Sequence, residues 1–323
     1  MHACSSPTAL PAGLFGYIWT FSGRHQFALI ALSGGVFALS AVPLELQRRI
    51  VNAAFYSDNF QPILWLALLY AAVVLAEGSI KLVLNVYRAW VSERAVRHLR
   101  RIALGATSGG EGVEQSMVIS EVEPIGGFVG AALSEPVLQG GILLSVFGYM
   151  AYLDPRLAFC SLLIFSPQLI FVPLLQRAIN RRVEVRILTM RAISEGIVRH
   201  AGAIQSGAHA AQEQRVDHVF VLHMQMFKLK FSMNFLMNMT HHLGIAAALA
   251  LGGWYAIQGQ IEIGTVVAFV SGLGKVNDPW GDAVNWYRDM TINRVKYRLV
   301  ANAMVQAGSL SRQGAVWPRA GQR

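Results

Sequence analysis

Charged residues are scarce in this sequence. Asp, Glu, Lys and Arg make up only 14% of its 323 residues, whereas 54% are hydrophobic. The mean hydropathy is +0.43. A soluble globular protein usually has about 25% charged residues, so this composition excludes that class. It predicts an integral membrane protein whose main solvent is the lipid bilayer.

Cysteine is also nearly absent, with only Cys4 and Cys160. Two isolated cysteines supply neither a disulfide framework nor a set of zinc ligands. The sequence shows no Ser/His/Asp set and no paired carboxylates, so we expect the chain not to be an enzyme by itself. Residues 1–13 contain no Lys or Arg and no compact apolar core, so no cleavable signal peptide is expected.

A phosphate-binding loop of the form Gly-x-x-x-x-Gly-Lys-Ser/Thr is missing as well. The stretch Gly272–Lys275 has the wrong spacing and is followed by Val276, so we interpret it as a chance match. Residues 32–35 (Leu-Ser-Gly-Gly) lie inside an apolar run, where small residues allow close helix packing. We therefore expect this chain to bind no nucleotide or metal cofactor.

Long apolar runs are what the sequence does contain. A spanning helix needs roughly 20 mostly apolar residues. Five stretches meet this requirement and a sixth is short. The six predicted spans are 27–44, 62–80, 137–153, 157–175, 231–256 and 263–274.

The basic residues are distributed unequally between the two sides of these spans. Asp154-Pro155-Arg156 allows only a tight turn between the third and fourth spans. If that turn is outside, the outer segments hold only Arg48, Arg49 and Arg156 of the 27 Lys and Arg. The positive-inside rule then places both termini in the cytoplasm. It also explains the net charge of +9 without nucleic acid as a partner.

Several helices are expected to continue past the membrane on the inner side. Residues 88–101 contain no Pro or Gly and have charges at helical spacing, and 176–230 has the pattern of two helices with a bend. We predict three regions: a cytoplasmic N-terminus with an interfacial helix (1–25), a six-helix membrane domain (26–302) and a disordered tail (303–323). The fold class is thus an all-α membrane protein with six transmembrane helices and long cytoplasmic extensions.

From about Phe15 to Asn302 the sequence resembles the transmembrane domain of ATP-binding cassette (ABC) exporters. The resemblance rests on the order of several short stretches along the chain. They are residues 85–94 (NVYRAWVSER) with 99–101 (LRR), 121–129 (EVEPIGGFV), Asp154-Pro155, 257–264 (IQGQIEIG) and Pro279.

The resemblance implies an exporter-type fold in a bacterial inner membrane and a dimer with an identical or related membrane subunit. ATP and Mg would be bound by a separate ATPase subunit, because this chain departs from the common layout in which both parts are fused. Short coupling helices would press on that ATPase. By position they include Gly112, Val113, Glu114, Gln115 and Ser116 in the first inner loop and Gly207, Ala208, His209, Ala210 and Gln212 in the second.

Polar residues on the second predicted span form one stripe: Glu77, Lys81, Asn85 and Arg88 recur at steps of four, four and three. They could line an inward-facing cavity. The interpretation we favour is a Glu77–Lys81 pair, with Lys81 and Arg88 reaching toward the membrane interface.

Asn234, Asn238, His241 and His242 share a face of the fifth predicted span. Adjacent histidines on a helix point about 100° apart, and no carboxylate is nearby, so a metal site is disfavoured. Hydrogen bonding between helices or cavity lining is the preferred interpretation.

The leading functional prediction is the permease subunit of an ABC-type exporter, coupled through its inner loops to a separate ATPase. The alternative is a non-transporting membrane scaffold, or the truncated remnant of a fused transporter. Lipids, peptides and amphipathic drugs all suit an apolar pathway, and the sequence does not separate them.

Overall fold

The computed structural model describes residues 11, 13–56, 59–106, 122–199 and 206–314. These residues form helices joined by short turns. The helices are α1 (Leu14–Ser40), α2 (Val42–Tyr56), α3 (Phe60–Ala106), α4 (122–129), α5 (Ser134–Leu153), α6 (Pro155–Phe165), α7 (Gln168–Arg199), α8 (Ser206–Ile257) and α9 (Ile263–Gly314).

Five stretches are long and apolar enough to cross a membrane, which confirms an all-α chain of membrane type in the part that the structure describes. They are Leu14–Tyr56, Phe60–Ile102, Ser134–Leu153, Pro155–Ser194 and Gln212–Ile257. The sixth predicted span opens α9 but is not among them. Its apolar run is short because Lys275, Asn277 and Asp278 follow its last residue, so the count of six remains a prediction.

Several helices are much longer than a membrane requires. Helix α3 has 47 residues, and α8 and α9 have 52 each. At 1.5 Å per residue these helices are about 70–80 Å long, against about 30 Å for the hydrocarbon core of a bilayer. Helix α9 remains helical to Gly314, inside the segment for which we predicted a disordered tail.

The first helix contains a kink at Ser22, whose backbone is not helical (φ −130°, ψ 15°). The Ser22 hydroxyl donates to the Ile18 carbonyl over 2.8 Å, and the buried Gln26 amide donates to the Ser22 oxygen over 3.1 Å. These bonds satisfy polar groups at the break. The segment before the kink corresponds to the predicted interfacial helix, and it buries Leu14 while Trp19 is 54% exposed.

The predicted span 157–175 is two helices, because Pro167 interrupts it. Proline lacks an N–H and clashes with the preceding turn, so α6 ends at Phe165 and α7 begins at Gln168. The Ser166 hydroxyl donates to the Leu163 carbonyl over 2.8 Å at this break.

The predicted tight turn between the third and fourth spans is confirmed. Asp154 alone separates α5 from α6. Its Oδ1 accepts hydrogen bonds from the backbone N–H groups of Arg156 (2.8 Å) and Leu157 (3.0 Å). This is an N-cap followed by Pro155 at the first helical position, where proline loses no hydrogen bond.

The chain divides into two compact units. Unit 1 comprises Met1–Leu29, Val86–Leu133 and Asp289–Arg323, and unit 2 comprises Ile30–Asn85 and Ser134–Arg288. Each unit has its own buried side chains.

In unit 1, α4 packs closely against α3 through glycine. A Cβ atom on Gly126 would overlap the backbone of Val96, and one on Gly130 would overlap a backbone carbonyl of α3. The Ser92 hydroxyl donates to the Gly127 carbonyl (2.8 Å) and accepts from the Gly130 N–H (3.1 Å). Gly126, within the 121–129 stretch, and Gly130, just after it, thus have a packing role.

Unit 1 also contains a buried aromatic group. Tyr17 packs against Tyr297 at a ring distance of 5.9 Å. The Tyr297 hydroxyl donates to the Pro11 carbonyl over 2.7 Å. Burial raises the pKa of Tyr297 to about 12, because the ionised phenolate would lose its hydration.

In unit 2, the core contains side chains from α2, α5, α6, α8 and α9. Its buried members are Leu44, Val146, Met150, Leu157, Ala158, Phe165, Ala248, Phe269, Leu273 and Val276. Helix α1 packs against α5 where Gly141 meets Phe37, and a Cβ on Gly141 would overlap the Phe37 ring.

Helices α7 and α8 lie side by side within unit 2. Arg182 Nε donates to Gln225 Oε1 over 3.1 Å, and Gln212 Nε2 donates to the Ile193 carbonyl over 3.0 Å. Hydrogen bonds therefore join the two helices both near their connection and farther along.

Candidate functional site

An ion pair between α3 and α9 is the first candidate. The Glu77 carboxylate lies 3.7 Å from Lys275 Nζ, with 21% of the Glu77 side chain and 34% of the Lys275 side chain exposed. Lys275 also donates to the Ser40 carbonyl over 3.0 Å. Since Ser40 ends α1, a cation there interacts favourably with the negative end of the helix dipole. Lys275 therefore joins α1, α3 and α9.

This geometry replaces the pairing that we favoured from the sequence. Glu77 pairs with Lys275, and Lys81 and Asn85 are exposed on α3. The i,i+4 spacing of Glu77 and Lys81 permitted a local pair, but a cation from α9 occupies that place. Sequence reasoning missed Lys275, whose only signal was a charge close to the end of the sixth predicted span.

The polar residues predicted on the fifth span do not share one environment. Asn234 and Asn238 are exposed on α8, whereas His241 is only 9% exposed. The His241 ring packs edge-on against Phe165 at 6.4 Å between ring centroids. Its Nδ1 is buried without a hydrogen-bond partner among the described residues. Within those residues, no hydrogen bond or ion pair joins the predicted lining residues of α3 to those of α8.

The predicted coupling segments are only partly described. Gly112, Val113, Glu114, Gln115 and Ser116 lie outside the described residues. Gly207, Ala208, His209, Ala210 and Gln212 belong to the first turns of α8. The second segment is therefore continuous with a 52-residue helix and is not a separate transverse helix.

A network of charged residues at the start of α2 is the second candidate. Glu45 accepts hydrogen bonds from Arg48 (2.9 and 3.0 Å), Arg49 (2.6 Å) and the Tyr149 hydroxyl of α5 (2.6 Å). Hydrogen bonds to an ionised group are the stronger kind. Glu45 therefore ties α2 to α5.

The same network reaches the turn before α9. Arg48 donates to Glu262 over 3.1 Å, and Asn52 donates to the same carboxylate. The Asn52 Oδ1 accepts from the Gly264 N–H over 2.9 Å, and a Cβ on Gly264 would overlap the Arg48 carbonyl. The 257–264 stretch thus carries one carboxylate and one glycine with definite structural roles.

Sequence reasoning did not find this network. Glu45 precedes Arg48 and Arg49 by three and four residues, which is a detectable helical signal. Tyr149 and Glu262 lie about one hundred and two hundred residues farther along, and no local pattern connects them to Glu45. Glu45, Tyr149 and Glu262 come close to one another only because α2, α5 and the turn before α9 pack against each other.

A small apolar cavity of about 100 Å³ lies within unit 2. Two polar atoms, Gln168 Oε1 and Trp280 Nε1, are buried without a hydrogen-bond partner among the described residues. Its lining comprises Leu143, Phe147, Leu162, Phe165, Ser166, Gln168, Leu169, Val276 and Trp280.

The chemistry available at these sites is charge pairing and hydrogen bonding. Among the described residues there is no group of three or more His, Cys, Asp or Glu that could hold a metal ion.

A comparison of the chain with protein-family models found no match. A comparison with curated proteins found none either.

Proposed function

We propose that this chain is the permease subunit of an ABC-type exporter in a bacterial inner membrane, with both termini in the cytoplasm. Two such subunits, identical or related, enclose the substrate pathway. A separate ATPase subunit binds ATP and Mg and drives the exchange between inward- and outward-facing states.

The observation that carries this proposal is the length of the helices beyond their apolar spans. A helix of about 70–80 Å continues roughly 40 Å past a bilayer core of about 30 Å. Helices α7 and α8 are also joined along their sides by the Arg182–Gln225 and Gln212–Ile193 hydrogen bonds. Rigid paired helices of this kind are suited to transmit motion from a soluble motor to a membrane domain.

The exposed face of α3 supports a pathway shared with a second subunit. In the most apolar 18-residue stretch of Phe60–Ile102, no residue is buried within the chain. Such a helix has to be covered by lipid or by another membrane protein. The Glu77–Lys275 pair lies between the predicted second and sixth spans, and ionisable residues at such depth are candidates for a transport role.

The test is reconstitution of this chain with separately expressed ABC-type ATPase subunits from the same organism. We expect the two proteins to co-purify from a membrane extract and ATP turnover to depend on this chain. The matched control is the same ATPase with the lysine of its own phosphate loop replaced, which should bind this chain without turnover.

Two outcomes would contradict the proposal. One is a folded chain that recruits no ATPase, which is the behaviour expected of a scaffold or a remnant. The other is ATP turnover that is the same with and without this chain. Substrate class would follow from transport assays in vesicles with lipids, peptides and amphipathic drugs.

A further inference from the structure

Two residues that line the small cavity in unit 2 each carry a buried polar atom without a partner. Gln168 is only 1% exposed, and no donor reaches its Oε1 within the described residues. The Nε1–H group of Trp280, on α9, has no acceptor there either, so the two groups are not bonded to each other. A buried polar group without a partner costs free energy. The cavity therefore lacks one donor and one acceptor.

The break between α6 and α7 places Gln168 among apolar side chains. Pro167 separates the two helices, and Gln168 is the first residue of α7. The neighbouring Ser166 also lines the cavity, but its hydroxyl already donates to the Leu163 carbonyl over 2.8 Å. Ser166 therefore does not supply the donor that Gln168 lacks.

The wall of the cavity selects against charged ligands. Its described lining contains no ionisable side chain, and six of its nine residues are Leu, Phe or Val. An ion would lose its hydration there without a counter-ion. Water would satisfy the two polar groups alone, whereas a molecule with an alkyl part would also cover the apolar wall. The wall thus favours a neutral ligand with one polar group.

The volume limits the size of that ligand. An apolar cavity of about 150 Å³ binds benzene. The present cavity of about 100 Å³ holds a smaller molecule, of about four non-hydrogen atoms in the same proportion.

We propose that this cavity binds a small neutral alcohol. A hydroxyl carries both a donor and acceptors, so it donates to Gln168 Oε1 and accepts from Trp280 Nε1–H. The last side-chain dihedral of glutamine is broad, which allows the amide to turn its oxygen toward the ligand. The alkyl part packs against the leucine and phenylalanine side chains of the wall.

Alcohols dissolved in the bilayer have a route to this cavity. Two lining side chains of the predicted fourth span are also exposed at the surface, Leu162 by 49% and Leu169 by 59%. The inference requires neither an ATPase nor a second subunit. It therefore succeeds or fails separately from the exporter proposal.

Saturation-transfer NMR of the full chain in lipid nanodiscs provides the test, with empty nanodiscs as the blank. The probes are 2-propanol and 2-chloropropane, which have nearly the same shape, although only the alcohol donates a hydrogen bond. We expect saturable binding of 2-propanol. In Gln168→Leu its affinity should fall roughly fivefold, because one net hydrogen bond corresponds to roughly a factor of five, while 2-chloropropane should change by less than about twofold. Trp280→Phe removes the donor and should act in the same direction.

The matched control is Gln176→Leu, on the same helix. Gln176 is also 1% exposed with an unpartnered Oε1, but it does not line the cavity. It should leave the affinity for both probes within about twofold of the unchanged chain. Comparing the two probes in each variant cancels their partitioning into the bilayer.

Three results would overturn the proposal. One is the absence of saturable 2-propanol binding, as expected of a cavity that holds water alone. Another is an equal effect of Gln168→Leu on both probes, which would show that the hydroxyl is not recognised. The third is an equal loss of 2-propanol affinity in Gln176→Leu.

Discussion

Replacing Gly141 by alanine should destabilise the packing of α1 against α5. The new Cβ would overlap the Phe37 ring, whereas the neighbouring Gly140 has no atom within 4 Å of the same position. Overpacking a core costs about 1–3 kcal/mol. Alanine in place of glycine within a helix gains about 1 kcal/mol. Gly141→Ala should therefore lower the free energy of unfolding by up to about 2 kcal/mol, and Gly140→Ala should raise it by about 1 kcal/mol.

The comparison of the two variants removes the shared helix-propensity term. Both positions lie on α5 one residue apart, so their difference reports the contact with Phe37 alone. The assay is denaturant unfolding in detergent, followed by tryptophan fluorescence. The difference in unfolding free energy should be about 1–3 kcal/mol.

A third variant tests the named partner. In a Phe37→Ala background the ring is gone, so Gly141→Ala should cost no more than Gly140→Ala. Equal stability of the two single variants, or an unchanged cost of Gly141→Ala without the Phe37 ring, would refute the packing that the structure shows.

Three further predictions concern the turn between α5 and α6, the Glu77–Lys275 ion pair and Gly264 at the start of α9. Asp154→Ala removes the acceptor of two backbone N–H groups and should cost about 0.5–2 kcal/mol of unfolding free energy in the same assay; an unchanged value would contradict the N-cap. Lys275→Met should destabilise more than the double variant Lys275→Met/Glu77→Gln, because it leaves a carboxylate without its cation; equal losses would argue against the pair. Gly264→Ala should lower the thermal midpoint by several degrees while Gly253→Ala, with open space at its Cβ, should not; the same shift in both would argue against close approach at Gly264.

Much of the fold could be predicted from local patterns. The Asp154-Pro155 turn was predictable because an N-cap and a proline at the first helical position act within four residues. The extension of α3 was predictable because charges at helical spacing continue past its apolar run over 88–101 without Pro or Gly. The break at Pro167 is also a local signal, but the apolar residues on both sides concealed it.

The candidate sites were predicted less well, because they depend on residues far apart in sequence. Glu77 has a possible partner four residues away, yet it pairs with Lys275 of α9. Both pairings satisfy the carboxylate, and no pattern in the sequence chooses between them. The surroundings of Arg94 could be predicted only in part. The spacing of the arginines on α3 is visible in the sequence, but the contacts of Arg94 with His25 and Phe21 of α1 are not.

The sequence by itself determined that this protein is helical and of membrane type, because solvent preference and helical periodicity are sums over local residues. Only the tertiary structure decided which charges meet. Glu45 binds Arg48, Arg49 and Tyr149, and Lys275 joins Glu77 to the end of α1. The physical reason is that an ion pair depends on distances between helices, and those distances are fixed by packing at residues such as Gly141 and Gly264.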